Sequence, residues 1–179
     1  MRRLPLANGE SMPAIGLGTW RADKGEVGSA VRQALELGYR HIDAAAIYGN
    51  EAEIGVALER AMADGVARRE EIWVTSKLWN DCHEPEEVRP ALERTLADLR
   101  LSHLDLYLIH WPVVLRRGVL WPQQAADLVP LAQVPLARTW AAMETLQAKG
   151  LCRHIGVSNL SLAKLQALLG EARQAPVML

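Results

Sequence analysis

Short runs of β-forming apolar residues alternate along this chain with longer stretches whose apolar side chains recur at helical spacing. That alternation predicts strands and amphipathic helices taking turns. Ahead of it, Asn8-Gly9 between short flanks predicts a two-residue β-hairpin turn. A first strand follows at 15–18. A helix is predicted over 25–37, with Val27, Ala30, Val31, Ala34 and Leu35 on one face and Gly38 as its stop. Strand 39–43 and helix 50–62 come next, the latter with Ile54, Ala57, Leu58 and Ala61 inward.

The run at 71–77 has the unbroken buried character of a parallel strand covered on both faces. Helix 85–99 places Val88, Leu92, Leu96 and Leu99 in register; Pro85 suits its first turn, whereas Pro90 is expected to lose a hydrogen bond or bend it. Strand 104–110 leads into a long irregular stretch, 111–136, with four prolines; loops of that length in compact domains are usually functional or mobile. Helix 137–149, strand 151–157, helix 161–172 and the first residues of a sixth strand at 176–179 complete the pattern.

Five successive βα units imply right-handed crossovers and a parallel sheet, either an open doubly wound one or a barrel. Gly16-Leu17-Gly18-Thr19-Trp20-Arg21 lacks the third glycine of a dinucleotide-binding fingerprint. Periodicity leaves the two architectures open.

Composition narrows the function classes. The chain has 179 residues, half of them hydrophobic, and a net charge of -1. That is ordinary for a globular domain and has no basic excess for nucleic acid. Arg2 and Arg3 are followed by no apolar segment, so no signal peptide is read, and no run approaches a membrane span. Cys82 and Cys152 stand far apart, so a reduced, cytoplasmic protein is the simplest expectation.

Polar residues gather at predicted strand ends. Asp43 closes the second strand and Tyr48 lies in the loop beyond. Lys77 closes the third, His110 the fourth, and Ser158-Asn159 the fifth. Carboxyl ends of strands are where βα barrels keep their sites. Singly, each has an ordinary explanation: an aspartate there is usually a helix cap, and a tyrosine or histidine near a core is usually packed. Together they have a chemical use. A phenol is a poor proton donor at neutral pH, but an ammonium about 4 Å away favours the phenolate by about 4 kcal/mol at an effective dielectric of ~20. Asp43 would hold Lys77 in place, and His110 could orient the carbonyl oxygen that takes the proton.

The motifs carrying these residues are similar to those of the aldo-keto reductase family. They are Ile15 to Trp20, Gly38 to Ala45 followed by Tyr48-Gly49-Asn50-Glu51 and Gly55, Thr75 to Trp79, Asp105 to Pro112, and Ile155 to Asn159. Leu160 and His154 depart mildly from the family pattern. The resemblance implies a TIM-type (β/α)8 barrel, here an N-terminal hairpin plus about five βα units and the start of strand six, forming one oxidoreductase domain over 1–179. It implies an enzyme that reduces aldehyde or ketone carbonyls with NADPH, NADH not being excluded. In that scheme Tyr48 donates the proton, Asp43 and Lys77 tune it, and His110 positions the substrate.

By the same resemblance, Ser158 and Asn159 hold the nicotinamide carboxamide, and Gly18, Thr19, Trp20 and Asp43 border that end of the cofactor. Trp20, Trp79 and Trp111 wall an apolar substrate pocket, with core packing equally open for Trp79. The family's later strands and cofactor-phosphate segment have no counterpart in these residues. A catalytically inactive fragment, or a non-catalytic binding or regulatory subunit on the same fold, therefore stays open beside the enzyme. The complete fold implies a monomer, whereas unpaired strand edges would invite self-association. Asp81-Cys82-His83-Glu84 has metal-friendly side chains, but it precedes a helix start; capping and solvent exposure explain it, and no metal site is assigned. Arg116-Arg117 reads as a solvated loop.

Overall fold

The computed structural model describes residues 2–23 and 25–179; Met1, where the reading of the leader begins, lies outside them. β1 (Arg3–Pro5) and β2 (Ser11–Pro13) form an antiparallel hairpin. Its connection differs from the expected two-residue turn. Pro5 pairs with Ser11, and Leu6 N–H donates to the Glu10 carbonyl, so Ala7-Asn8-Gly9 is a three-residue loop. Gly9 takes the left-handed conformation (φ 85°) that such a loop requires.

The rest of the chain is built on five parallel strands: β3 (Leu17–Gly18), β4 (His41–Asp43), β5 (Trp73–Leu78), β6 (Leu104–Ile109) and, after the short β7 (Val114–Leu115) and β8 (Leu128–Val129), β9 (Cys152–Val157). Their spatial order is their chain order, β3-β4-β5-β6-β9. A doubly wound sheet would reverse direction at some strand; this one never does, so right-handed crossovers put every helix on the same face. The helices are α1 (Val27–Glu36), α2 (Glu51–Ala63), α3 (Pro85–Leu99), α4 (Leu136–Ala148) and α5 (Leu162–Glu171), and each packs on the next. The result is an arc of a TIM-type barrel without closure among the described residues.

Strand alternation splits the apolar residues into two clusters. Val74, Leu78, Tyr107 and Ile109 face the helices and join the main core. Trp73, Leu106 and Leu108 face the inside of the arc, where the hairpin's Leu6 and Met12 cover them. His154 stacks on Trp73 at 5.2 Å and meets Glu10 at 3.2 Å, tying the hairpin to β9.

Two expectations are amended and one, the hydrogen bond lost at Pro90, is met. The stretch 111–136 is not wholly irregular, because Val114 and Leu115 pair with Val129 and Leu128. α3 runs unbroken through Pro90, whose missing N–H would have met the carbonyl of exposed Glu86. Residues 176–179 lie beside β9 but form no regular strand. Val177 N–H donates to Ile155, and Val157 N–H donates to Met178. A regular parallel rung uses one residue for both bonds, so the ladder slips by one residue here.

Candidate active site

The turn after β4 positions Tyr48. Ala46–Tyr48 is a single 3-10 turn that Gly49 ends in the left-handed conformation (φ 69°), and α2 starts two residues later. Asn50 anchors this turn by donating from Nδ2 to the Thr19 carbonyl at 2.9 Å. Lys77, on the inward face of β5, is buried. Its Nζ donates to Asp43 Oδ1 at 2.5 Å, to the Ala44 carbonyl at 2.8 Å and to Tyr48 Oη at 3.3 Å. All three ammonium protons are thereby placed.

His110 follows β6, its ring 5.8 Å from that of Tyr48. Burial, helped by the Lys77 charge and opposed by Asp43, pushes His110 down to about 4, so the imidazole is neutral at pH 7. Nδ1 is buried with no hydrogen-bond partner. A bare ring nitrogen is tolerated there better than an orphaned N–H, which leaves the proton on Nε2.

Tyr48 and His110 line a cavity of about 570 Å³ together with Trp20, Trp79, Trp111 and Trp121, among others. Trp20 stacks near Tyr48 with centroids 6.3 Å apart. Trp79 has both roles left open for it, since it is buried yet lines the cavity. Sequence reasoning missed Val113, Leu115 and Trp121, all from the long stretch after β6. The available signal was their apolar character in a segment expected to be functional or mobile. Arg116 and Arg117 are exposed, as a solvated loop requires, and Arg117 also pairs with Asp81 at 3.0 Å and Glu87 at 2.9 Å. One other expectation fails at the same place. Asp81, Cys82 and His83 are buried under that loop, not exposed.

Of the expected cofactor residues, Gly18, Thr19, Ser158 and Asn159 contact the strand ends that carry Asp43 and His110. Ser158 Oγ donates to the His110 carbonyl at 2.6 Å, and Asn159 Nδ2 donates to the same oxygen at 2.8 Å. Thr19 is buried, with its hydroxyl given to the Asp43 carbonyl at 2.9 Å, so it braces Asp43. Gly18 pairs with Asp43 across the β3–β4 ladder, and a Cβ there would meet nothing within 4 Å.

The sequence profile described as the aldo/keto reductase family matches residues 14–179. The chain belongs to that family. It is 56% identical over 178 residues to an aldo/keto reductase of Synechocystis sp., covering 99% of this chain and 54% of that protein. It is 49% identical over 176 residues to aldo-keto reductase family 1 member A1 of Homo sapiens, covering 97% and 54%. Among solved structures, the aldose reductase of Schistosoma japonicum superposes with a TM-score of 0.93 at 49% identity, covering 99% of this chain and 60% of that one. The chain thus spans about half the length of the curated relatives it matches.

Proposed function

We propose that this chain supplies the proton-donating side of an NAD(P)H-dependent carbonyl reductase, an oxidoreductase converting aldehydes or ketones to alcohols with Tyr48 as the proton donor. The observation that carries it is the Lys77 ammonium, shared between Asp43, the Ala44 carbonyl and Tyr48 Oη, where Tyr48 lines an apolar cavity. As Tyr48 gives up its proton, negative charge grows on Oη, and a buried cation in hydrogen-bond reach stabilises it. Neutral His110 offers an N–H to the substrate oxygen without competing as an acid. Around them, tryptophan rings favour an apolar or aromatic substituent on the carbonyl.

The exposed Asn159 keeps its amide oxygen as an acceptor for a nicotinamide carboxamide N–H, while its Nδ2 donates to the His110 carbonyl and to Ser158 Oγ. Ser158 and Asn159 would hold that amide, with Gly18 and Trp20 alongside; the cofactor, NADPH by preference, supplies the hydride when bound. Among the described residues no helix is long and apolar enough to cross a membrane; a cytoplasmic location and a small carbonyl substrate are part of the same reading.

The test is a titration of the purified chain with NADPH by tryptophan fluorescence, alongside reduction of 4-nitrobenzaldehyde. Binding, with turnover abolished by Tyr48→Phe, supports the enzyme. No binding at millimolar cofactor defeats the claim that this chain acts alone. β3 and β9 are the two edges of the sheet; binding without turnover, together with dimers in sedimentation, would favour a self-associating, non-catalytic protein instead.

A further inference from the structure

Glu51 is buried at the first position of α2, three residues beyond Tyr48. Buried Asp81 and Asp105 pair with Arg117 and Arg69, whereas the partners of Glu51 are two hydroxyls. Ser76 Oγ donates to Oε1 at 2.5 Å, and Thr95 Oγ1 donates to Oε2 at 2.9 Å. Ser76 precedes Lys77 on β5. Side chains alternate along a strand, so Lys77 points to the inside of the arc, toward Asp43 and Tyr48, and Ser76 points to the helix layer. The same turn therefore grips β5 from both faces, inside through Tyr48 and Lys77, outside through Glu51 and Ser76. Thr95 brings α3 into the clasp.

Such a carboxyl is expensive to keep. Burial pushes Glu51 up to about 7, against the opposing effect of its two hydroxyl donors. Hydrogen bonds to a carboxylate are short and directional, and proton transfer tolerates little error, because a displacement of about 1 Å can lower a rate ~100-fold.

We propose that Glu51 is a positioning residue for proton donation. By holding Ser76 and Thr95, it fixes the turn carrying Tyr48 against the strand carrying Lys77 and so sets the separation of Lys77 and Tyr48. Its importance for turnover rests on Tyr48 being the proton donor, as proposed above.

The full chain is compared with Glu51→Ala, Glu51→Gln and Ser76→Ala. In Glu51→Ala, kcat falls about tenfold or more while KM for the aldehyde stays within about twofold, the pattern of a loss confined to the transition state. An amide can accept from one hydroxyl and donate to the other, so Glu51→Gln recovers most of that rate. Should Glu51→Ala fail to fold, Ser76→Ala breaks the same clasp from the strand side and is expected to show the same split.

A second readout needs no turnover. The chain has three tyrosines, at 39, 48 and 107, and ring-carbon labelling with Tyr48→Phe for assignment isolates the Tyr48 resonance. It is expected to move in Glu51→Ala or Ser76→Ala while that of Tyr39 stays. A folded variant with unchanged kcat, or with an unmoved Tyr48 resonance, overturns the proposal. If the parent chain shows no turnover, the claim that this chain acts alone fails, yet the ring resonance still decides whether Glu51 sets the position of Tyr48.

Discussion

Trp79 donates its indole N–H to the Leu120 carbonyl at 2.9 Å, and that bond draws the segment after β6 over the cavity. Trp121, the next residue, then meets the Trp79 ring edge-on at 5.2 Å. The wall of the cavity is therefore made by a strand-end residue and a loop residue 42 positions apart in the chain, coupled by one hydrogen bond and one ring contact.

Trp79→Phe keeps an aromatic ring and removes the N–H. A typical hydrogen bond contributes about 1 kcal/mol, so KM for an aromatic aldehyde should rise about fivefold with kcat little changed. Steady-state kinetics on benzaldehyde and a small aliphatic aldehyde checks this. Equal KM values for variant and parent would show that the loop stays in place without that bond.

Lys77→Met leaves the buried Ala44 carbonyl without its donor and Tyr48 without its cation. Turnover should fall by at least ~100-fold, and the orphaned carbonyl should lower stability by about 1–3 kcal/mol. Urea unfolding and aldehyde reduction on the same preparation separate the two effects. A stable variant with near-parent kcat would remove Lys77 from the mechanism.

Part of the acid sensitivity should trace to His83, beside that from His110. It is fully buried, both ring nitrogens lack hydrogen-bond partners, and burial pushes it down from 6.5 to about 4. A histidine whose folded value is depressed takes up its proton more readily when unfolded. Its contribution is present above pH 6.5 and is lost as pH falls toward 4, about 2.5 kcal/mol by pH 4.5. His83→Leu cannot be protonated and should resist acid: between pH 7 and 4.5 it should lose about 2.5 kcal/mol less than the parent chain. Parallel urea curves at the two pH values test this, and equal losses would exclude His83 as an acid-labile group.

Glycines in two helices should respond oppositely to alanine. A Cβ on Gly55 in α2 would lie 2.1 Å from the Asp98 carbonyl oxygen and 2.7 Å from the Leu99 carbonyl carbon, both backbone atoms of α3. Helix propensity favours alanine by up to about 1 kcal/mol, but forcing two backbones apart costs about 3 kcal/mol or more, so Gly55→Ala should destabilise. Gly170 in α5 has open space where a Cβ would go, and Gly170→Ala should stabilise by about 0.5 kcal/mol. Thermal unfolding of both variants reads the signs directly.

The period of the apolar residues determined the five βα units, most boundaries to within two residues, and the strand ends at which Asp43, Lys77, His110 and Ser158 sit. Those features are local, because a strand or helix reports its buried face through its own spacing. The recurrence of Tyr48-Gly49-Asn50-Glu51 and the other motifs also pointed to the family. Periodicity does not encode which elements become neighbours. Only the unreversed strand order decided for an arc of a barrel over a doubly wound sheet. Only long-range packing paired the exposed Arg117 with Asp81 and Glu87, buried His83, and brought Trp121 to Trp79. Glu51 shows the division best: in sequence it is an acidic residue suited to the start of a helix, and only β5 and α3 folding against it reveal a buried carboxyl between two hydroxyls.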